Sequence, residues 1–392
     1  MTSEWKTSPL RDLVGFISKG IAPSYTDEKS ETTVRVLNQK CNRNFRITYS
    51  ESRLHDLSRK KVPAERFVRM DDILINSTGA GTAGRIAQIC NLPCDTIVDG
   101  HMIIIRANNK VSQKYLGYAM KAHQWEVLQL DEGSTGQTEL NRERLLDEIM
   151  VSYPTSFALQ EMIVKTLEGI DRKLLINEKV NDNLQQQAAA LFANFYDQAE
   201  TEVGFTEIIQ ILGGGTPKTS ESSYWNGNVP FFTPKDVGLP YTLTTEKTIT
   251  EEGLAHCNSG LYPINTVFVT ARGTVGKVGL SGVPMAMNQS CYALVGKDTH
   301  QLLVYFYTLE AVARLRHKAS GAVFDAITTR DFESEIIMKL SDDDAKAFLD
   351  VAEPIYQAVL SNSIENLRLA ALRDSLLPKL MSGEIDVSGI QL

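Results

Sequence analysis

The spacing of apolar residues divides the chain into two kinds of segment. Short apolar runs, broken by Gly, Pro, Asn and Thr, fill residues 1–155 and again residues 201–341. Such runs are typical of strands in a β-rich α+β domain. Two predicted helices interrupt them, near residues 113–130 and 299–317. The clearest predicted strands lie at residues 34–37, 73–75, 102–105, 267–270 and 291–295.

A long segment with a different spacing follows each β-rich region. Its apolar residues recur at alternating intervals of four and three, which is the pattern of a coiled-coil seam. Matching seam positions, 185 residues apart, hold Asn177 with Asn362 and Asn181 with Asn366, whereas Arg373 is the one charged seam residue of the second segment. A polar seam residue costs stability but fixes the register, because any other register leaves its amide unpaired. We therefore expect the four Asn residues to set the helix register.

Two such helices in one chain can pair, or each can lie separately on its own β-rich domain. A pair can run parallel or antiparallel. We predict an antiparallel coiled coil, which gives a pseudo-twofold object with a β-rich head at each end of a rod of roughly 50 Å. Gly169 and Pro354 stand near the starts of the helices, where we expect them to kink or restart the helix.

The two halves of the chain resemble each other in order and spacing. Three stretches, at residues 17–23, 36–40 and 81–86, match residues 211–217, 231–235 and 273–278 at offsets between 192 and 195. We therefore predict one module of about 190 residues present twice. Its parts are a first β-rich domain at 1–155, a first helix at 156–200, a second β-rich domain at 201–341, and a second helix with the C-terminal tail at 342–392.

The distribution of charge changes the interpretation of its total. The net charge of −8 argues weakly against a nucleic-acid partner, but the two helical segments hold much of the acidity. Residues 35–69 carry ten basic and three acidic residues, a net charge of +7. Such a stretch is typical of a polyanion site, and an ordinary solvated surface explains it equally well.

Motifs for catalysis and for cofactor binding are missing from the sequence. The glycine-rich stretches at residues 77–84 and 271–276 lack the hydroxyl residue of a phosphate-binding loop, since Val278 follows Gly276 and Lys277. They fit hairpin tips that could approach DNA closely. The His and Cys residues show no metal-ligand spacing, and the adenine-methyltransferase tetrad is missing. We expect a binding protein with no catalytic or metal site and no membrane span, and sparse cysteines favour a cytoplasmic location.

Three stretches resemble the DNA-specificity subunit of type I restriction-modification systems. Residues 372–385, LRDSLLPKLMSGEI, are very close to the closing signature of that family. Residues 133–140, GSTGQTEL, are similar to its passage from a recognition domain into a helix, and residues 229–237, VPFFTPKDV, to an early recognition-domain strand and turn. The second copy departs from the pattern, because Ser341 and three Asp residues replace the Pro and Gln at its helix entrance.

The resemblance implies a function without catalysis in this chain. Each β-rich domain would be a target-recognition domain that reads one half of a split double-stranded DNA target. The helices would set the spacing and dock two adenine-N6 methyltransferase subunits, which use S-adenosylmethionine. Restriction subunits, which use ATP and Mg, would join that core. Residues 376–380 are more apolar than a seam requires, which favours their use in docking.

Positions that match between the copies select the candidate DNA contacts. Lys40 with Lys235 and Arg85 with Lys277 are the equivalent pairs. Each candidate could equally be a plain surface residue. The full set is Lys40, Arg43, Arg46, Arg59, Lys60, Lys61, Thr78, Thr82 and Arg85 in the first copy, and Thr233, Lys235, Arg272, Thr274 and Lys277 in the second.

Two other functions stay open at this point. The coiled coil could join two protein-binding heads in a scaffold, whose binding would lack the steep salt dependence of DNA binding. The chain could also be an enzyme by itself, a nuclease or a fused methyltransferase, which turnover by the isolated chain would reveal.

Overall fold

The structure divides into two compact units. The computed structural model describes residues 4–132, 139–238, 240–318 and 326–387. The first unit comprises Met1–Arg172 and Leu369–Leu392, and the second comprises Lys173–Arg368. Each unit contains one β-rich region and part of each long helix. The division into segments at residues 155, 200 and 341 stays a prediction.

The first β-rich region contains the predicted strands and helix. Its strands are β1 (Trp5–Pro9), β2 (Val14–Lys19), β3 (Tyr25–Thr26), β4 (Thr33–Leu37), β5 (Asn42–Arg43), β6 (Arg46–Ile47), β7 (Arg53–Asp56), β8 (Ile73–Asn76), β9 (Ile86–Gln88), β10 (Thr96–Val98), β11 (Met102–Ala107), β12 (Asp131–Glu132), β13 (Glu139–Leu140) and β14 (Met150–Pro154). Its helices are α1 (Gln113–Ala122), α2 (Gln124–Leu128) and α3 (Arg142–Glu148), and α4 (Phe157–Gln198) follows. Residues 133–138, which belong to one of the family-like stretches, lie outside the described residues.

The second β-rich region has a closely related set of elements. Its strands are β15 (Thr201–Gly204), β16 (Ile209–Gly213), β17 (Trp225–Phe232), β18 (Tyr241–Thr242), β19 (Lys247–Ile249), β20 (Val267–Thr270), β21 (Val278–Ser281), β22 (Ala286–Met287), β23 (Cys291–Gly296) and β24 (Ile336–Lys339). Its helices are α5 (Phe205–Ile208), α6 (Glu251–Ala255), α7 (Gln301–Lys318) and α8 (Thr329–Glu333), and α9 (Asp342–Ser382) follows.

Two sheets and a helix form the layers of each β-rich region. In the first, the sheets have the orders β10-β4-β7-β3 and β2-β11-β8-β9. Strand β8 is buried on both faces: Ile73 and Ile75 pack in a core with Tyr115 of α1, and Leu74 packs in another core with Leu37 of β4. This double burial explains why the strand is a continuous apolar run instead of an alternating one.

Strand β20 of the second region is buried in the same way. Val267 and Val269 join the core that includes α7, and Phe268 packs with Phe232 of β17. The sheets of this region have the orders β16-β23-β20-β21-β18 and β19-β17-β22.

Strand contacts repeat between the two regions. The parallel pair β4–β10 aligns Leu37 with Val98, and the parallel pair β17–β22 aligns Phe232 with Met287. The antiparallel pair β1–β14 likewise corresponds to β15–β24. The predicted internal repeat is therefore confirmed.

The two long helices run antiparallel where they meet in the second unit. The amide of Asn177 donates to Oδ1 of Asn366 at 2.8 Å, and the amide of Asn362 donates to Oδ1 of Asn181 at 2.8 Å. Positions rise along α4 as they fall along α9, so the predicted antiparallel coiled coil is confirmed. The four amides satisfy one another, while their role in fixing the register stays a prediction.

The remaining charged seam residue also has a partner. In the first unit, Arg373 of α9 donates to Asp171 of α4 at 3.0 Å, and Asp171 accepts a further bond from Tyr118 of α1 at 2.9 Å. Arg373 is only 15% exposed, so this pairing avoids an uncompensated buried cation.

Packing against the β-rich regions moves burial away from the ideal seam. In the second unit Phe192 and Tyr196 are buried, while the predicted seam residues Leu191 and Phe195 are only half-buried. The ring of Phe192 stacks on Phe306 of α7 at 4.9 Å. The helix therefore faces two neighbours, and its buried stripe is wider than a two-helix seam.

Two expectations about the helices were wrong. Helices α4 and α9 continue without a restart through Gly169 and Pro354. Leu377 and Leu380 are buried in the core of the first unit, so the surplus of apolar residues at 376–380 serves packing. Within the described residues, no helix is long and apolar enough to cross a membrane.

The amide pair Asn181–Asn362 provides a test of the seam. Asn181→Leu leaves the Asn362 amide without its acceptor, and Asn362→Leu leaves the Asn181 oxygen without its donor. Each single variant should lose about 1–3 kcal/mol of unfolding free energy, measured by urea denaturation of the full chain. The double variant should recover part of the summed loss, because no half-pair remains.

The exposed change Gln186→Leu on α4 is the control and should shift stability by less than about 0.5 kcal/mol. Additive losses in the double variant would show that the two amides do not interact in solution.

Candidate nucleic-acid interface

In the first unit, a basic loop packs against a glycine-rich turn. The basic loop, residues 38–43, follows β4 and carries Lys40 and Arg43; the first glycine turn, residues 77–85, joins β8 to β9 and ends in Arg85. The buried side chain of Asn42 donates from Nδ2 to the carbonyl of Arg85 at 2.8 Å and to Oδ1 of Asn76 at 3.2 Å. These bonds bring the cations of the loop and the turn into one surface.

The second unit makes the same juxtaposition. Its loop, residues 233–236, follows β17, and its glycine turn, residues 271–277, joins β20 to β21 and ends in Lys277. The hydroxyl of Thr274 in the turn donates to the carbonyl of Pro234 in the loop at 3.1 Å. Lys235, on this loop, is 79% exposed and lies 3.7 Å from Glu246.

Backbone hydrogen bonds close both glycine turns identically. The N–H of Asn76 donates to the carbonyl of Arg85 at 2.9 Å, and the N–H of Thr270 donates to that of Lys277 at 3.0 Å. In return, the carbonyl of each strand-end residue accepts from the last glycine of its turn at 2.8 Å. The sequence equivalence of Arg85 and Lys277 therefore corresponds to one backbone position, although the first turn is two residues longer.

Glycine is required at the closing position. Gly84 has a φ of +82° and Gly276 a φ of +75°, a region that residues with a Cβ adopt only at a cost. A Cβ at Gly276 would also approach Nε of Arg316 to 2.9 Å. The turn geometry, and with it the place of the following cation, depends on these glycines.

Several candidate cations are free of acidic partners. Within the described part of the chain, Lys40, Arg43, Arg272 and Lys277 form no ion pair, and all four are exposed. Arg85 is half-buried and donates from its guanidinium to the carbonyl of Gly81 at 3.0 Å. Exposed, uncompensated cations keep their full attraction for a polyanion.

The basic stretch at residues 35–69 does not form one patch. Antiparallel pairing of β4 and β7 sets Val36 opposite Arg53 at the end near Lys40, and Thr33 opposite Asp56 at the other end. Residues 59–61 follow that other end, where Arg59 pairs with Asp56 at 3.2 Å, and Lys60 donates to the carbonyl of Ala22 at 2.7 Å. The contacts of Arg59, Lys60 and Lys61 with DNA stay a prediction, on a separate surface.

Arg46 lies on the same hairpin as Arg43. The two face each other across β5 and β6, around a tip where Asn44 and Phe45 have positive φ. The ring of Phe45 lies 5.0 Å from Nζ of Lys121. Arg46 is half-buried, so Arg43 is the more accessible of the two arginines.

The candidate threonines bond mainly within the protein. Thr78 shares a hydrogen bond of 2.6 Å with Nδ1 of His101, and Thr233 donates to Asp236 at 2.6 Å. The hydroxyl of Thr82 is buried without a partner among the described residues. These side chains shape the turns, and their proposed contact with DNA stays a prediction.

Side chains from distant helices complete both turns, and the sequence gave no signal for them. Gln124 of α2 donates to the carbonyl of Gly84 at 2.7 Å and accepts from the N–H of Ile86 at 2.8 Å. Arg316 of α7 donates to the carbonyl of Gly276 at 2.6 Å. No group of three His, Cys, Asp or Glu in the described ranges could hold a metal ion.

A buried acid supports the first glycine turn. Asp99 is 4% exposed, and its carboxylate accepts the N–H of His101 at 2.9 Å. Burial raises the pKa of Asp99 above its usual value. The second unit has Asn288 in this place, whose side-chain oxygen accepts the N–H of Ser290 at 3.0 Å.

Comparison with known proteins gives a consistent family. A family model described as the type I restriction modification DNA specificity domain matches residues 2–186 and 201–339. Among curated proteins, the chain is 28% identical over 185 residues to the HindI specificity subunit of Haemophilus influenzae, covering 46% of this chain and 40% of that one. It is 26% identical over 247 residues to the EcoR124I/EcoR124II specificity subunit of Escherichia coli, covering 58% and 60%.

These two matches thus span less than two thirds of each relative. Among solved structures, the S subunit of a type I restriction-modification system from M. genitalium has a TM-score of 0.58 and 14% identity, and the alignment covers 97% of this chain and 96% of that one. At this identity the likeness concerns the fold alone.

Replacement of Asp99 by Asn tests the electrostatic cost of this buried carboxylate. A raised pKa means that the folded state holds the proton more tightly, so the stabilisation is full at low pH and is lost as pH rises through the raised pKa. Asp99→Asn should therefore raise the melting temperature at pH 7, with a gain that shrinks as pH falls towards about 4. A gain independent of pH would show that ionisation of Asp99 is not the cause.

Proposed function

Because the chain belongs to the family of type I restriction modification DNA specificity domains, we propose that it is the sequence-specific DNA-binding subunit of a type I restriction-modification complex. Each β-rich region reads one half of a bipartite double-stranded target. The observation that carries the proposal is the repeated surface in which a loop with a lysine packs against a glycine turn that ends in a cation. One polyanion site in each copy is what a split target requires.

The chemistry of the surface suits duplex DNA. Lys40 and Arg43 in the first unit, and Arg272 and Lys277 in the second, offer exposed cations without acidic partners in the described residues. Neutralising phosphates with such side chains releases counterions and supplies affinity that does not depend on sequence. Sequence is then read by groups that reach base edges. The side chains differ between the copies, which suits two different half-sites.

The long helices are proposed to dock two methyltransferase subunits. In the second unit, Leu175, Ile176 and Val180 of α4 are between 41% and 45% exposed. A shallow groove on α9 adds Leu360 and Ile364. Apolar side chains that remain exposed on a helix already paired elsewhere favour a protein partner.

The division of labour in such a complex leaves the chemistry to its partners. This chain would bind no cofactor of its own, and the methyltransferase subunits would use S-adenosylmethionine. Restriction subunits would use ATP and Mg. A scaffold with two protein-binding heads is the competing function, and weak dependence of binding on salt would favour it.

Removing the loop lysines tests the two surfaces separately. Lys40→Ala and Lys235→Ala should each weaken binding to a duplex that carries both half-sites, across all sequences, and lower the salt slope by about one. Binding is measured by fluorescence anisotropy at several salt concentrations. Lys110→Ala and Lys346→Ala, which are exposed elsewhere, are the controls. Unchanged binding by both loop variants would remove these lysines from the interface.

Changing the helices tests whether they set the gap between half-sites. Seven residues added to α4, with seven added to α9 at the facing position, preserve the heptad phase. Profiling of methylated adenines by the assembled methyltransferase should then give the same two half-sites separated by more unread base pairs. New bases read with an unchanged gap would contradict the role of the helices as a spacer.

A further inference from the structure

We propose that Gln124 and Arg316 are equivalent positioning residues, which hold the cation at the end of each glycine turn so that it reads a base edge. The inference rests on the proposed function, and it assigns Arg85 and Lys277 to sequence readout. It also separates them from Lys40 and Lys235, which it assigns to phosphates.

In the first unit, the backbone on both sides of Arg85 is held by side chains from elsewhere in the fold. Gln124 donates to the carbonyl of Gly84 at 2.7 Å and accepts from the N–H of Ile86 at 2.8 Å. Asn42 donates to the carbonyl of Arg85 itself at 2.8 Å. One amide therefore bridges the two peptide groups that flank the cation, and a second amide fixes the cation's own carbonyl.

The second unit holds the same position with different side chains. Arg316 donates to the carbonyl of Gly276 at 2.6 Å and to that of Val275 at 3.2 Å. The hydroxyl of Thr270 accepts the N–H of Lys277 at 2.9 Å. The carbonyl before the cation and the backbone of the cation itself are again both held.

Sequence spacing makes the two arrangements equivalent. Gly84 and Gly276, Arg85 and Lys277, and Gln124 and Arg316 are all separated by 192 residues. In each unit the clamp comes from a helix that follows the sheet, α2 or α7, and it binds the carbonyl of the glycine that closes the turn. The clamp is thus a feature of the repeated module, although its side chain differs.

Rigid placement matters for one kind of DNA contact more than for the other. A phosphate attracts a cation over several ångströms and tolerates a flexible side chain. A base edge demands donors at fixed places, such as those that Arg or Lys offers to N7 and O6 of guanine, and such precision needs a support of packed hydrogen bonds. Lys235, 79% exposed on its loop, has only Glu246 at 3.7 Å, which suits a phosphate contact.

The experiment separates positioning from charge. Gln124→Met removes both bonds of the first clamp, and Arg316→Met removes the second clamp; Gln124→Glu and Arg316→Lys are milder variants for use if either Met variant unfolds. Affinity is measured for duplexes with single base changes through each half-site, once the target has been found by mapping methylated adenines. Gln129→Met and Arg330→Met, exposed positions, are the matched controls.

We expect Gln124→Met to reduce discrimination at one position of the first half-site by about tenfold, with the salt slope and the melting temperature unchanged. Arg316→Met should do the same in the second half-site only. Combining Gln124→Met with Arg85→Ala should cost no further discrimination, because both act through one contact.

Three results would overturn the proposal. A loss across all sequences with a lower salt slope would make Arg316 a phosphate contact. Equal losses at both half-sites, or a lower melting temperature that explains the weaker binding, would make the clamps merely structural. Full discrimination in both variants would remove them from readout. Wild-type protein without any sequence preference would instead refute the proposed function itself.

Discussion

The pair of backbone hydrogen bonds that closes each glycine turn on the end of its central strand determines the geometry of the candidate interface. Asn76 and Thr270 each donate to the carbonyl of a cationic residue, and each accepts from the last glycine of the turn. The bonds can fix the turn because β8 and β20 are themselves buried on both faces. The cation is therefore placed by the core of its unit, at a point where the loop after β4 or β17 also arrives.

Dependence on backbone bonds explains how two copies can differ in chemistry while they share a geometry. Between the copies, Arg85 becomes Lys277, and Gln124 becomes Arg316. None of these exchanges disturbs the bonds from the strand end, because main-chain groups make them. A module of this kind can change the groups it presents to a ligand without a change of fold, which is what a protein with two different half-sites needs.

The sequence predicted whatever depends on local periodicity and failed where distant segments meet. The strands at residues 73–75 and 267–270, and the helix pair with its facing amides, follow from patterns within one segment. Gln124 and Asn42 meet the first turn across 40 and 43 residues, and no pattern within either segment indicates that contact. The basic stretch at residues 35–69 separates because the antiparallel ladder of β4 and β7 sends its two ends in opposite directions. Burial of Phe192 in place of Leu191 likewise depends on α7 as a second neighbour of the helix.

Within each unit the interface and the helix segment form one packed body, which makes the helix part of the recognition apparatus. In the first unit, Lys114 of α1 pairs with Glu168 of α4 at 2.7 Å, and in the second, His300 beside α7 pairs with Glu353 of α9 at 2.6 Å. The two glutamates are 185 residues apart and occupy equivalent places on their helices. Helices α1 and α7 belong to the same cores as β8 and β20, so a continuous set of packed residues joins each glycine turn to its helix. Since the β-rich region cannot shift on the helix without disrupting that core, a displacement of the helix segment moves the cation at the turn with it.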